Sequence, residues 1–163
     1  MDEWITREQF HNLTRPLIGL PVSKTWRGFG SAIFFEFGEL TIHQKQRENG
    51  IMRESAQGQS GVMLEWSWRV ERPKSILFGS WRHNRTITSK LAKLQGLTIL
   101  EIAIEGRLPE LVIQLSGGHW VHSFSTVGGQ PEWCLFLDRE ATDTRWITSN
   151  IGKLVSTTQP VSP

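Results

Sequence analysis

Few residues in this chain could do chemistry, and they are widely spaced. His119 and His122, in "HWVH", invite a metal reading. On a strand, side chains three positions apart face opposite ways, and no cysteine or third histidine stands near them. No metal site is expected there. Cys134 is the single cysteine; it sits between Trp133 and Leu135 with no adjoining Lys, Arg or His to lower its pKa. It reads as a small structural residue. Gly28-x-Gly30 hints at phosphate binding, but a dinucleotide loop needs a strand before its glycines and a helix after them, and here a strand follows. A turn is expected instead. With no Gly-x-Ser-x-Gly elbow and no Walker loop, no catalytic residue and no cofactor is assigned.

Residues suited to binding are better represented. In "LEWSWRV" (Leu64–Val70), an unbroken strand puts Trp66, Trp68 and Val70 on one face and Glu65, Ser67 and Arg69 on the other. The tryptophans are expected in the core. Glu65 and Arg69 then form either a charged surface or one wall of a polar cleft. Between Arg69 and Lys93 the basic residues Arg69, Arg72, Lys74, Arg82, Arg85, Lys90 and Lys93 face one acid, Glu71. Trp81 and His83 lie among them in "FGSWRHNRT". This is either a solvated linker or a patch for an acidic partner, with Trp81 as its anchor.

The bulk composition limits the partner. The 163 residues are 38% apolar and 21% charged, which suits one globular domain. A net charge of +2 is too small to demand nucleic acid. Eight Trp and eight Phe, with no Tyr, imply thick core layers or a lined cavity. A lone cysteine excludes an intramolecular disulfide, "MDEWITREQF" lacks the apolar stretch of a signal peptide, and no apolar run reaches membrane-spanning length. The expected compartment is the cytoplasm.

The elements that must position these residues repeat. Thr6-Arg-Glu-Gln9 makes a capping box, and Pro16 should end that helix near Thr14 or Arg15. "LIGLPV" (Leu17–Val22) after it matches "LQGLTI" (Leu94–Ile99) after a second helical segment. The alternation of Ile33, Phe35 and Phe37 matches that of Leu111, Ile113 and Leu115, and Glu65-Trp66 matches Glu132-Trp133. The expected fold is α+β and mainly antiparallel: one domain over residues 1–163, built of two pseudo-equivalent helix-plus-β-meander halves, 5–81 and 87–150. Phe35, Phe37, Trp66, Trp68, Ile113, Leu115 and Trp133 should share one core. The polar stretch 44–61 reads as a long loop, mobile or functional, and 153–163 as a flexible tail.

The pattern "WRGFGSAIFFEFG", "EWSWRV", "GSW", "LPELVIQLSGGHWVHSF" and "EWCLFLD" resembles small bacterial domains of no assigned activity. Some of these look like immunity or interaction proteins encoded beside toxins. The resemblance spans most of the chain but rests on glycines, strand apolars and tryptophans, so it carries over no catalytic residue. It implies a non-enzymatic protein-binding module with another protein as the partner; the basic cluster read above, Arg82, His83 and Arg85 around Trp81, would then be its contact. The alternative is a small-ligand-binding protein or enzyme with its site at the seam between the halves, where Trp26, Trp81, Glu65 and Arg69 would lie.

Overall fold

The computed structural model describes residues 1–139 and 143–160. Strand β1 (Asp2–Ile5) leads into helix α1 (Arg7–Thr14), capped by the expected box: Thr6 Oγ1 accepts from the Gln9 amide and Gln9 Oε1 from the Thr6 amide. Arg15–Leu17 tighten into a 3-10 turn carrying Pro16. Then come β2 (Val22–Arg27), β3 (Ile33–Gln46), β4 (Met52–Leu64), β5 (Trp68–Arg72) and β6 (Ser75–Gly79). Helix α2 (Asn84–Ala92) follows, and after it β7 (Ile99–Glu105), β8 (Glu110–Leu115), β9 (His119–Ser123), β10 (Trp133–Leu137), β11 (Asp143–Asn150) and β12 (Lys153–Pro160). The class is α+β, mostly antiparallel sheet.

Two sheets enclose one core. The larger runs β1-β12-β11-β10-β4-β3-β2 and the smaller β6-β5-β9-β8-β7. The chain therefore crosses between sheets twice in opposite directions, from β4 to β5 and from β9 to β10. The period-2 pattern sends Ile33, Phe35 and Phe37 of β3, with Leu111, Ile113 and Leu115 of β8, into a single apolar cluster. The helices add Phe10, Ile87 and Leu91 to the same cluster.

A tryptophan opens each crossing strand. Trp68 begins β5 and Trp133 begins β10; each is 1% exposed. The Trp68 indole N–H donates to the Ser31 carbonyl at 2.8 Å, just before β3, and the Trp133 indole to the Pro109 carbonyl at 2.9 Å, just before β8. Each ring thus fills the core and satisfies a carbonyl at the mouth of the sheet its strand has left. "LIGLPV" and "LQGLTI" also meet: Gly19 N–H donates to Ile99 O at 2.8 Å, Ile99 N–H to Leu20 O at 2.9 Å, and Val22 N–H to Leu97 O at 2.7 Å.

Three expectations are corrected. Trp66 is 53% exposed, not core, because the strand breaks at Glu65–Ser67 and Trp66 takes a left-handed φ of 59°. It shares no face with Trp68. Stretch 44–61 is no loop: β3 and β4 continue as one hairpin, paired from Ile33↔Leu64 out to Gln46↔Met52 around a turn at 47–51. It does not fold over Glu65 and Arg69. The expected tail is strand over Lys153–Pro160, where β12 pairs with β11 and β1 and buries Leu154, Val155 and Ser156; 161–163 lie outside the described residues.

These two tryptophan environments separate by mutation. Trp68→Ala removes a fully buried ring and orphans the Ser31 carbonyl, so it should cost about 3–5 kcal/mol in urea denaturation. Trp66→Gly relieves a left-handed strain of order 1–2 kcal/mol while surrendering partial burial. It should change stability by less than about 1 kcal/mol. Equal losses in the two variants would contradict the assignment.

Candidate functional site

Three connections converge where β5 begins. Residues 28–32 join β2 to β3, 65–67 join β4 to β5, and 80–83 join β6 to α2. Ser31 receives the Trp68 indole hydrogen bond; the Ser80 amide donates to the Trp68 carbonyl at 3.0 Å, and the Trp68 amide to Ser80 Oγ at 3.4 Å. Each connection then displays one aromatic. Phe29 is 100% exposed, Trp81 91% and Trp66 53%. Phe29 sits at the tip of the Gly28–Gly30 turn, where Gly30 has φ 62°. With Glu65 and Trp66 it borders a shallow cleft of about 210 Å3.

The surroundings are basic. Arg27 holds the turn through Nη2 to the Gly30 carbonyl at 3.2 Å. Arg82, His83 and Arg85 are exposed, and His83 caps α2, its Nδ1 accepting from the Arg85 amide at 3.3 Å. Glu65 is the one acid among these residues. An apolar, cation-rimmed end of this kind can hold an apolar segment flanked by carboxylates. A tryptophan held outward in the left-handed region is also the kind of backbone outlier that clusters at ligand contacts.

The remaining sequence candidates lie elsewhere. Trp26 stands on the outer face of the seven-stranded sheet, stacked on Phe34 with centroids 3.8 Å apart and planes within 4°. Its indole donates to Glu36 Oε1 at 3.3 Å, while Oε2 takes the Gly58 amide at 3.0 Å and Arg139 Nη1 at 2.5 Å. Arg139 also lies over the Phe136 ring, 4.5 Å from its centroid. Arg69 points from the outer face of the five-stranded sheet, its Nε 2.5 Å from Glu71 Oε1 and its guanidinium over Phe124. The core separates Trp26 from Arg69, so the four residues expected at the seam line no common pocket. Arg72 and Lys74 lie at the β5–β6 turn, the end of that hairpin opposite Arg82, which splits the basic run in two.

His122 lies between two carboxylates, Nδ1 3.5 Å from Glu71 Oε1 and Nε2 3.7 Å from Glu110 Oε2; His119 Nδ1 instead meets the Ser116 carbonyl at 3.2 Å. No group of three or more His, Cys, Asp or Glu among the described residues is placed to hold a metal ion. Phe29 and Trp66 were not legible as site residues. The available signal was the pair of glycines around Phe29, which marks a projecting turn tip.

Cys134 is 8% exposed, and burial pushes its thiol from the ordinary 9.0 up to about 12, against a smaller opposing pull from Arg139. Because the folded state holds this proton more tightly, its contribution is intact below pH 9 and is lost as pH rises from 9 toward 12. Between those limits the wild type should lose stability faster than Cys134→Ala, by up to about 1.4 kcal/mol per pH unit. At pH 8 a thiol-reactive disulfide dye should label Cys134 only on unfolding. Immediate labelling of native protein would contradict the burial.

Compared with known proteins, the chain matches no family model, no curated protein and no solved structure.

Proposed function

We propose that this chain is a non-enzymatic protein-binding module, of the immunity or interaction type, working in the cytoplasm. Its contact end carries Phe29, Trp66 and Trp81 within the rim of Arg27, Arg82, His83 and Arg85. The observation that carries the reading is the outward presentation of three aromatics from three connections fixed to one buried residue, Trp68. Rigid aromatic anchors beside arginines are what protein hot spots are made of, and presenting them preformed lowers the entropy lost on binding. The rim selects an acidic partner surface, with an apolar side chain that enters the Phe29–Trp66 cleft.

The two-copy reading of the chain belongs to the same proposal. Its supports are the paired "LIGLPV" and "LQGLTI" segments, the reciprocal crossings β4 to β5 and β9 to β10, and the matching indole bonds of Trp68 and Trp133. In that correspondence Trp133 answers to Trp68, two positions from the match suggested by Glu65-Trp66. Under this scheme the contact end is the part where the copies differ, since only the first displays a tryptophan before its crossing strand.

The test is a photo-crosslinking amino acid at position 29, with the protein expressed in its native cell. A discrete protein adduct, mapped to an acidic peptide, is expected. Trp81→Ala should weaken the recovered complex by about 2 kcal/mol, near 30-fold, with affinity falling as salt rises. Trp120→Ala, beside Glu71 toward the β5–β6 turn and away from the contact end, should leave it unchanged. Crosslinks to nucleic acid alone, or a complex indifferent to Trp81→Ala, would contradict the proposal.

A further inference from the structure

The outer face of the seven-stranded sheet departs from the usual rule. One face of an antiparallel sheet normally meets water and is polar. Here the hydrogen-bonded register lines up a level row across all seven strands. From one edge it reads Trp26, Phe34, Met63 and Cys134; from the other, Trp4, Val155 and Thr148. The adjoining row holds Phe136 and Trp146 at its middle, Lys24 at the β2 edge and Asp2 at the β1 edge. The one carboxylate inside this surface, Glu36, is neutralised by Arg139. Both helices contribute to the core on the opposite side of the sheet, so neither covers this face.

We propose that a second copy of the chain docks here, sheet on sheet, as a two-fold dimer. β10 is the fourth of seven strands, so an axis along it keeps each row level and exchanges strands placed symmetrically about it. Trp26 then faces the second copy's Trp4, Phe34 its Val155 and Met63 its Thr148, while Cys134 and Phe136 lie on the axis. In the charged row Lys24 faces Asp2, and by symmetry this happens twice. Among the described residues Lys24 makes no ion pair and the Asp2 carboxylate meets the Thr157 hydroxyl, at 2.7 Å, and no cation. Lys24 and Asp2 are thus complementary in charge across the two-fold, with the Lys153 ammonium beside them over the Trp4 ring, 4.9 Å from its centroid.

The area suits a dimer. Six strand spacings of about 4.8 Å by five residues of about 3.4 Å give roughly 500 Å2 of flat sheet before side-chain relief. That approaches the about 800 Å2 per partner of a standard interface. This surface adjoins the aromatic end, where Gly28 of the Phe29 turn lies against the Phe34 ring, but the dimer is argued from the sheet rows alone and does not depend on what that end binds.

Sedimentation velocity of the full chain from about 1 to 500 µM tests it, with a dimer dissociating in the micromolar range or tighter expected. Lys24→Glu and Asp2→Lys should each weaken the dimer by about tenfold, and the double exchange should restore it to within about threefold. Thr148→Arg, which brings an unpaired charge against Met63 of the other copy, should leave only monomer. Near-UV circular dichroism checks that each variant is folded, and Lys24→Glu at the sheet edge keeps the test decisive if Thr148→Arg is not. A wild type that stays monomeric, or a dimer indifferent to these changes, would overturn the proposal. So would a monomer that co-sediments with phosphatidylcholine–phosphatidylglycerol vesicles, which would assign the face to lipid.

Discussion

Two indole groups tie the molecule together. Wherever the chain leaves one sheet for the other, the first residue of the arriving strand is a tryptophan, and its ring lies between the layers. Trp68 packs edge-on against Phe78, at 5.8 Å between centroids, and Trp133 against Phe10 of the first helix, at 6.2 Å. The polar atom of each ring would be a liability in such a place, because a buried N–H without a partner costs about 1–3 kcal/mol. Each finds its carbonyl at the start of a strand in the opposite sheet. The same contact thus packs the core, satisfies a donor and fixes where β3 and β8 begin.

The other features lean on these anchors. With Trp68 held at both its backbone and its indole, the connections through Ser31 and Ser80 are fixed in place, and the aromatics beside them face outward at little entropic cost. Trp66, two residues from the anchor, has to accommodate the turn from one sheet to the other. It does so with a positive φ that a non-glycine residue tolerates only where its surroundings are rigid. On the outer side of the larger sheet, Glu36 plays a comparable part. Its buried carboxylate gathers the Trp26 indole, the Gly58 amide and Arg139, and a carboxylate so placed is tolerable only because a cation and two donors meet it.

Much of this architecture could be read from residue spacing. The alternation at Ile33–Phe37 and Leu111–Leu115 marked strands with one buried face, and the capping box marked the first helix. What escaped were elements whose residues carry no such contrast. The outer part of the β3–β4 hairpin is exposed or half-buried on both faces, so "HQKQ" and "RESAQ" show no apolar period and read as loop. Strand β12, "KLVSTTQP", buries only two apolar residues, Leu154 and Val155, beside Ser156, and its threonines signal a strand weakly on their own. Trp66 failed for a different reason. Two tryptophans two apart share a face only if the strand between them is continuous, and nothing local announces that the chain changes sheets at Ser67. The site was legible in part: Trp81, Arg82, His83 and Arg85 stood out as an aromatic among cations. Arg69 and Trp26 were separated from them by a two-layer arrangement that spacing along one chain cannot reveal.

Tryptophan placement is therefore the claim on which the rest turns: Trp68 and Trp133 bridge the sheets, and Trp66 and Trp81 are displayed. Hydrogen exchange of the eight indole N–H groups by nuclear magnetic resonance measures it directly. Trp68 and Trp133 should exchange only through global unfolding, with protection equal to that of the most protected core amides, while Trp81 and Trp66 exchange at close to the free rate. A protected Trp66 indole, or fast exchange at Trp68 or Trp133 in the native protein, would contradict the account.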